Sequence, residues 1–148
     1  MDFSTIINCN AVNFFKVLTD YEQLVKYLPR QLNDIKILSE SENISTIEVS
    51  IIFKTLIKKE IKQKMQISKK FDNRIIVDVL DGHAKNTKVV IEIKSENSKT
   101  QINTDIDLKL SLKSKILLPV IKREYKVMLQ GVFMKIGIDA EKMESEEK

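Results

Sequence analysis

Apolar residues change their period twice along this chain, and the changes divide it into three stretches. Phe3 and the pair Ile6-Ile7 mark a first strand over residues 2–8. Ala11, Phe14, Phe15 and Leu18 then recur at helical spacing behind Asn10, a residue type suited to capping a helix start. A second short helix, capped by Asp20, carries Tyr21, Leu24, Val25 and Leu28, and Pro29 stops it. From Asp34 to Leu110 the period falls to two, as in strands with one buried face. Ile35, Ile37 and Ser39 open this region, and Ile47, Val49, Ile51 and Phe53 share a face over residues 44–54. Over residues 58–70, Ile61, Gln63, Met65 and Ile67 point one way while Lys58, Glu60, Lys62, Lys64 and Gln66 point the other.

Three further strands follow, over residues 74–80, 88–96 and 100–110 or 112. Their inward rows include Val89, Ile91 and Ile93, then Ile102, Thr104, Ile106, Leu108 and Leu110. Polar turns separate them, at Asp72-Asn73, Asp81-Gly82-His83-Ala84 and Asn97-Ser98-Lys99, so neighbouring strands are expected to be antiparallel. After Lys113-Ser114-Lys115 the period returns to helical. Pro119 suits a first turn, and Ile121, Tyr125, Met128, Leu129, Val132, Phe133 and Ile136 form one stripe. A helix over residues 118–140 is about 35 Å long, as is an eleven-residue strand. Each has one apolar face to bury on the other. The expectation is an α+β fold: a curved antiparallel sheet of about seven strands around a long C-terminal helix, with two short helices after the first strand. A single domain spans residues 1–148, with a charged, frayed tail from Glu141.

Several stretches resemble the START and Bet v 1-like (SRPBCC) superfamily. Asn10 to Glu22, ending in Asp20-Tyr21, resembles its first helix, and Tyr27-Leu28-Pro29 its exit from the second. Leu80-Asp81-Gly82 with Asn86-Thr87-Lys88-Val89 is similar to the central hairpin of the polyketide cyclase and coenzyme Q-binding branch. Leu117-Leu118-Pro119-Val120-Ile121 and Gly131 resemble that branch's last helix. The resemblance covers the chain to about residue 140 and implies the helix-grip fold. It also implies a cavity between sheet and helix that binds or carries a lipid, isoprenoid or polyketide-like molecule.

The residues expected to line such a cavity are Phe53, Gln63, Met65 and Ile67, then Val89, Ile91, Thr104 and Ile106. From the helix come Tyr125, Met128, Leu129, Val132 and Phe133. The competing expectation is that Met65, Met128, Phe53 and Phe133 fill the gap and leave only a core. Gln63 interrupts an aliphatic row and needs a polar partner. Tyr125 can turn its hydroxyl to a ligand, or pair with Gln63 or Thr104.

Composition narrows the chemistry. Cys9 and His83 are the only cysteine and histidine, which excludes an internal disulfide and most metal or nucleophilic constellations. Cys9 reads as a small core residue and His83 as a solvated turn residue; no catalytic residue, metal or cofactor is expected. Mostly aliphatic inner rows weigh against the polyketide cyclase or dehydratase activity that the resemblance also allows. The net charge is +4, carried almost entirely by Lys, with Arg30, Arg74 and Arg123 the exceptions. Sequence-specific DNA binding is not expected from so few arginines. Lys54, Lys58, Lys62 and Lys64 form a basic stripe on the outer face. It reads first as a solubility device, and as an alternative docks an anionic membrane, RNA or a ribosome, the last a partner the resemblance implies. Met1-Asp2-Phe3-Ser4 shows no basic segment ahead of an apolar one, so no leader is expected and a cytoplasmic address is the default.

Overall fold

The computed structural model describes residues 1–27, 32–53, 57–71, 73–111, 116 and 118–146, with backbone alone for 32–33, 53, 57–61 and 145–146. Leu28, Pro29, Arg30, Lys54, Asp72, residues 112–115 and Leu117, named above, lie outside the described residues. The chain begins with β1 (Asp2–Ile7), followed by α1 (Ala11–Leu18). Asn10 caps α1 as its sequence position implies: its backbone is extended and its side-chain oxygen accepts the Asn13 N–H at 2.8 Å. Phe14 is fully buried and meets Phe133 edge to face, with ring centroids 6.0 Å apart.

The second helix departs from expectation. Tyr21–Tyr27 forms a 3-10 helix, opened by a bond from the Gln23 N–H to the Asp20 carbonyl at 3.1 Å. With three residues per turn, its inward face is Tyr21, Leu24 and Tyr27, which repeat every third position. A search for α-helical spacing misses that face and omits Tyr27 from it.

Six strands follow in a meander: β2 (Leu32–Glu40), β3 (Ile44–Phe53), β4 (Ile57–Lys70), β5 (Arg74–Val79), β6 (Lys88–Glu96) and β7 (Lys99–Asp107). The sheet order is β1-β7-β6-β5-β4-β3-β2, with every pair antiparallel. β1 and β2 therefore form opposite edges of a curved sheet, and α1 with the 3-10 helix connects them. Asn97 and Ser98 both take positive φ, which makes the two-residue β6–β7 turn match the sheet's twist. β7 stops at Asp107, short of the expected Leu110. Beyond it the chain bonds to the β5–β6 loop instead: Thr87 Oγ1 accepts the Lys109 N–H at 2.9 Å, and the His83 carbonyl accepts the Ser111 N–H at 2.9 Å.

The chain closes with α2 (Leu118–Glu146), about 43 Å long at 1.5 Å per residue. The charged tail expected to fray from Glu141 is helical through Glu146. Ala140 is fully buried, and the Glu144 carboxylate accepts the free N–H at the start of α1, that of Asn10. This is the helix-grip α+β architecture.

α2 packs closest at Gly137, where a β-carbon would sit 2.0 Å from Cγ2 of Ile7 and 3.3 Å from its Cβ. Ile7 is buried and β-branched, so neither atom can swing away. Gly131 has nothing within 4 Å of the same position. Gly137→Ala should therefore destabilise by about 1–2 kcal/mol despite the better helix propensity of alanine. Gly131→Ala should stabilise by about 0.5–1 kcal/mol. Urea denaturation of both variants checks the contrast, and equal effects would show that Gly137 is not an anchor.

Candidate ligand cavity

α2 is seated by its C-terminal half and stands away from the sheet along the rest of its inward stripe. Phe133 against Phe14, Gly137 against Ile7, Asp139 against Tyr27 and Glu144 against Asn10 all fall between residues 133 and 144. The part of the stripe over the sheet's middle carries Tyr125, Met128, Leu129, Val132 and Phe133. Across from these lies a cavity of about 170 Å³. Protein interiors rarely leave voids much larger than a water molecule. This one is comparable to the ~150 Å³ engineered apolar cavities that stay dry and accept a single aromatic ring. It is smaller than the ~300–1,000 Å³ of pockets for drug-sized ligands.

The wall contains Met65, Ile67, Val89 and Ile91 from the sheet and all five helix residues expected there. Gln63, Thr104 and Ile106 are buried but do not line the space. Thr104 and Ile106 belong to β7, where they pair with the wall residues Ile91 and Val89 of β6, but the cavity does not extend to β7. Of Phe53 only the backbone is described. The strand rows supply further wall residues, Ile47, Val49 and Ile51 of β3 and Ile75, Val77 and Val79 of β5. Leu18, Tyr21 and Leu24 close another side. The period-2 pattern marks the strand residues as inward. The other three become visible only once the sheet order places α1 and the 3-10 helix between its edges.

The lining is hydrocarbon nearly throughout, because the polar atoms around it are turned away or engaged. Thr87 Oγ1 is held by the Lys109 backbone. The Tyr125 hydroxyl is bonded by the Gln63 amide, so of its two expected partners it takes Gln63 and not Thr104. Burial pushes the Tyr125 phenol up, and the Gln63 bond only partly opposes this. Tyr21 is pushed up to about 12, by burial first and then by the charge of Glu40. Its hydroxyl, Gln63 Oε1 and Thr104 Oγ1 are buried without a hydrogen-bond partner among the described residues.

Tyr27 lies outside the cavity and clasps the 3-10 helix to α2. Its hydroxyl donates to Asp139 Oδ2 at 2.7 Å, and Lys135 Nζ donates to its carbonyl at 3.1 Å. Burial raises the Tyr27 phenol, and the bond to Asp139 raises it further.

Elsewhere the groups that draw a catalytic guess are dispersed. Cys9 is buried, which pushes its thiol up and away from the reactive thiolate. His83 is exposed, with Nδ1 3.4 Å from Ser111 Oγ. Among the described residues no three His, Cys, Asp or Glu side chains are grouped to hold a metal. Lys62 and Lys64 are exposed on the outer face, whereas Lys54 is not described and of Lys58 only the backbone is. Lys64 lies opposite Glu48, which in turn lies opposite Lys36, so this part of the face alternates in sign. No helix among the described residues is long and apolar enough to cross a membrane.

No family model matches the chain, and no curated protein matches its sequence. Solved structures do. A protein of Thermus thermophilus superposes with a TM-score of 0.81 at 10% identity, covering 95% of this chain and 97% of that one. The Zhui aromatase/cyclase of a Streptomyces species gives 0.78 at 10% identity, covering 93% and 92%. A START superfamily protein of Mycobacterium smegmatis gives 0.70 at 13% identity, covering 88% and 94%. These likenesses establish the fold, the helix-grip architecture implied by the sequence resemblance.

The tyrosine environments make an alkaline titration informative. All three tyrosines of the chain are raised above the usual value of about 10, so the fold favours the protonated phenol. The stability they contribute is complete below about pH 10 and is lost as pH climbs through the folded-state values, about 12 for Tyr21. Phenolate absorbance should therefore show no step near pH 10 while the protein is folded. It should rise cooperatively with loss of the circular dichroism signal. A tyrosine titrating alone at its ordinary value would contradict this burial.

Proposed function

We propose that this protein binds or carries a hydrophobic small molecule, or the apolar part of a larger one, in the cavity between α2 and the sheet. The observation behind this reading is a void of about 170 Å³ with hydrocarbon walls at the centre of the domain. An empty void forfeits dispersion contacts that an occupant restores. A six-carbon body contributes about 5 kcal/mol at roughly 0.8 kcal/mol per buried CH₂. Taken alone that corresponds to a Kd of about 0.2 mM, and the cost of association weakens it, so a body of this size is expected to bind in the millimolar range. Met65 and Met128 have flexible thioether side chains, so the space can adapt to lipid, isoprenoid or polyketide-like chains.

A cyclase or dehydratase activity, suggested by the aromatase/cyclase among the structural neighbours, has less support. Acid–base work needs polar groups converging on one substrate. Here the Tyr125 hydroxyl is held by Gln63, and Tyr21 stands near Glu40 at the far end of β2. Docking of the outer face to an anionic membrane or ribosome would draw on Lys62 and Lys64. Glu48 between Lys36 and Lys64 weakens the field they create.

Native mass spectrometry of protein purified from its own source should reveal a co-purifying apolar compound. Benzene, a single apolar ring, should bind one per chain by calorimetry and be displaced by that compound. Val132→Phe, which extends a ring from α2 into the space, should reduce benzene affinity at least tenfold while leaving the melting temperature equal or higher. Absence of benzene binding to the wild type, or binding indifferent to Val132→Phe, would sink the proposal.

A further inference from the structure

Gln63 is, with Tyr21 and Thr104, one of three residues around the cavity whose buried polar atom has no partner among the described residues, and the only one of the three that carries an amide. It stands in the inner row of β4 two residues from Met65 and directly across from Val49, both of them wall residues. It is only 2% exposed, and its amide N–H is engaged by the Tyr125 hydroxyl. A glutamine side chain also carries an acceptor oxygen with two lone pairs. That oxygen, Oε1, is buried and has no partner among the described residues. Native proteins seldom leave such a group unsatisfied, because burying it without a hydrogen bond is unfavourable. Leucine or methionine would fill the same aliphatic surroundings without that penalty. Tyr125 forms part of the wall and also fixes the amide, so the acceptor is held immediately behind the cavity surface.

The charge around the site narrows what can meet it. The wall contains no Lys, Arg, Asp, Glu or His among the described residues, so a carboxylate or ammonium head would enter unpaired. A neutral donor meets no such obstacle. Building on the cavity-binding reading, we propose that the ligand class is an apolar body bearing one uncharged hydroxyl, an alcohol or phenol. Gln63 Oε1 accepts its hydrogen, after a small shift of the wall, and Tyr125 orients the amide.

Toluene and phenol provide the test, since they match in shape and differ in one methyl-for-hydroxyl exchange, and either fits a cavity that takes one ring. Calorimetric titration of the full chain is expected to give phenol an affinity at least equal to that of toluene. A purely hydrocarbon site would favour toluene at least tenfold, because the hydroxyl would lose its water without replacement. The phenol-to-toluene affinity ratio should then fall at least tenfold in Gln63→Met, with Gln63→Leu as a second variant should the first fold poorly. A wild-type preference for toluene, a ratio unchanged in the variants, or tighter binding of the acceptor-only compound benzaldehyde would overturn the inference and leave the cavity reading standing. If neither toluene nor phenol binds, the cavity reading falls with it.

Discussion

The close seat of α2 on β1 and α1 is the constraint on which the remaining architecture depends. Gly137 allows the helix to approach Ile7 without a side chain between them, and Phe133 locks against Phe14 one turn earlier. With that end fixed, the direction of a straight helix of 29 residues is fixed as well. The curved sheet falls away beneath the other half, and aliphatic side chains of ordinary size do not span the gap. The cavity thus follows from helix stiffness meeting sheet curvature, and no special loop is needed to create it.

The same geometry explains where polarity resides. Residues over the gap face either a void or other side chains, so a polar atom there has no water to bond. Thr87 is satisfied by the Lys109 backbone and Tyr125 by Gln63, while Tyr27 reaches past the edge of the sheet to Asp139. What remains facing the void is hydrocarbon. Such a surface selects for hydrophobicity and size, and it offers little to a reaction that must move protons. The solved structures with this fold include an aromatase/cyclase, so the architecture itself does not decide between holding and transforming a ligand. In this chain the distribution of polar atoms is what the proposed holding role rests on.

Much of this was legible from residue patterns. Alternation over Asp34 to Leu110 and the helical stripe from Ile121 to Ile136 describe faces that must be buried, and burial depends on period alone. Short polar turns then compel antiparallel neighbours. Met65 and Ile67 of β4, Val89 and Ile91 of β6, and Tyr125, Met128, Leu129, Val132 and Phe133 of α2 do meet around one space. The pattern failed where local signals were weak or absent. Tyr21, Leu24 and Tyr27 repeat every three residues, a spacing that α-helical templates scatter. Thr104 and Ile106 alternate just as Val89 and Ile91 do and pair with them in register, yet the cavity does not extend to β7. Glu141 to Glu146 looks like a solvated tail, but Glu144 meets the start of α1, which is remote in the chain.

Side-chain type and spacing were enough to say which face of α2 and of the alternating strands is apolar, in what order helices and strands follow, and that no Cys or His cluster exists for chemistry. Those properties are local, set by periods of two or 3.6 residues. Whether the buried faces close on each other or leave a space between them was settled only by packing in three dimensions. That outcome turns on a distance fixed elsewhere, by a glycine against an isoleucine at the far end of the helix. Packing also settled which polar groups find partners. Gln63 and Thr104 are alike in sequence as polar interruptions of aliphatic rows, but only Gln63 comes within reach of Tyr125 behind the cavity wall.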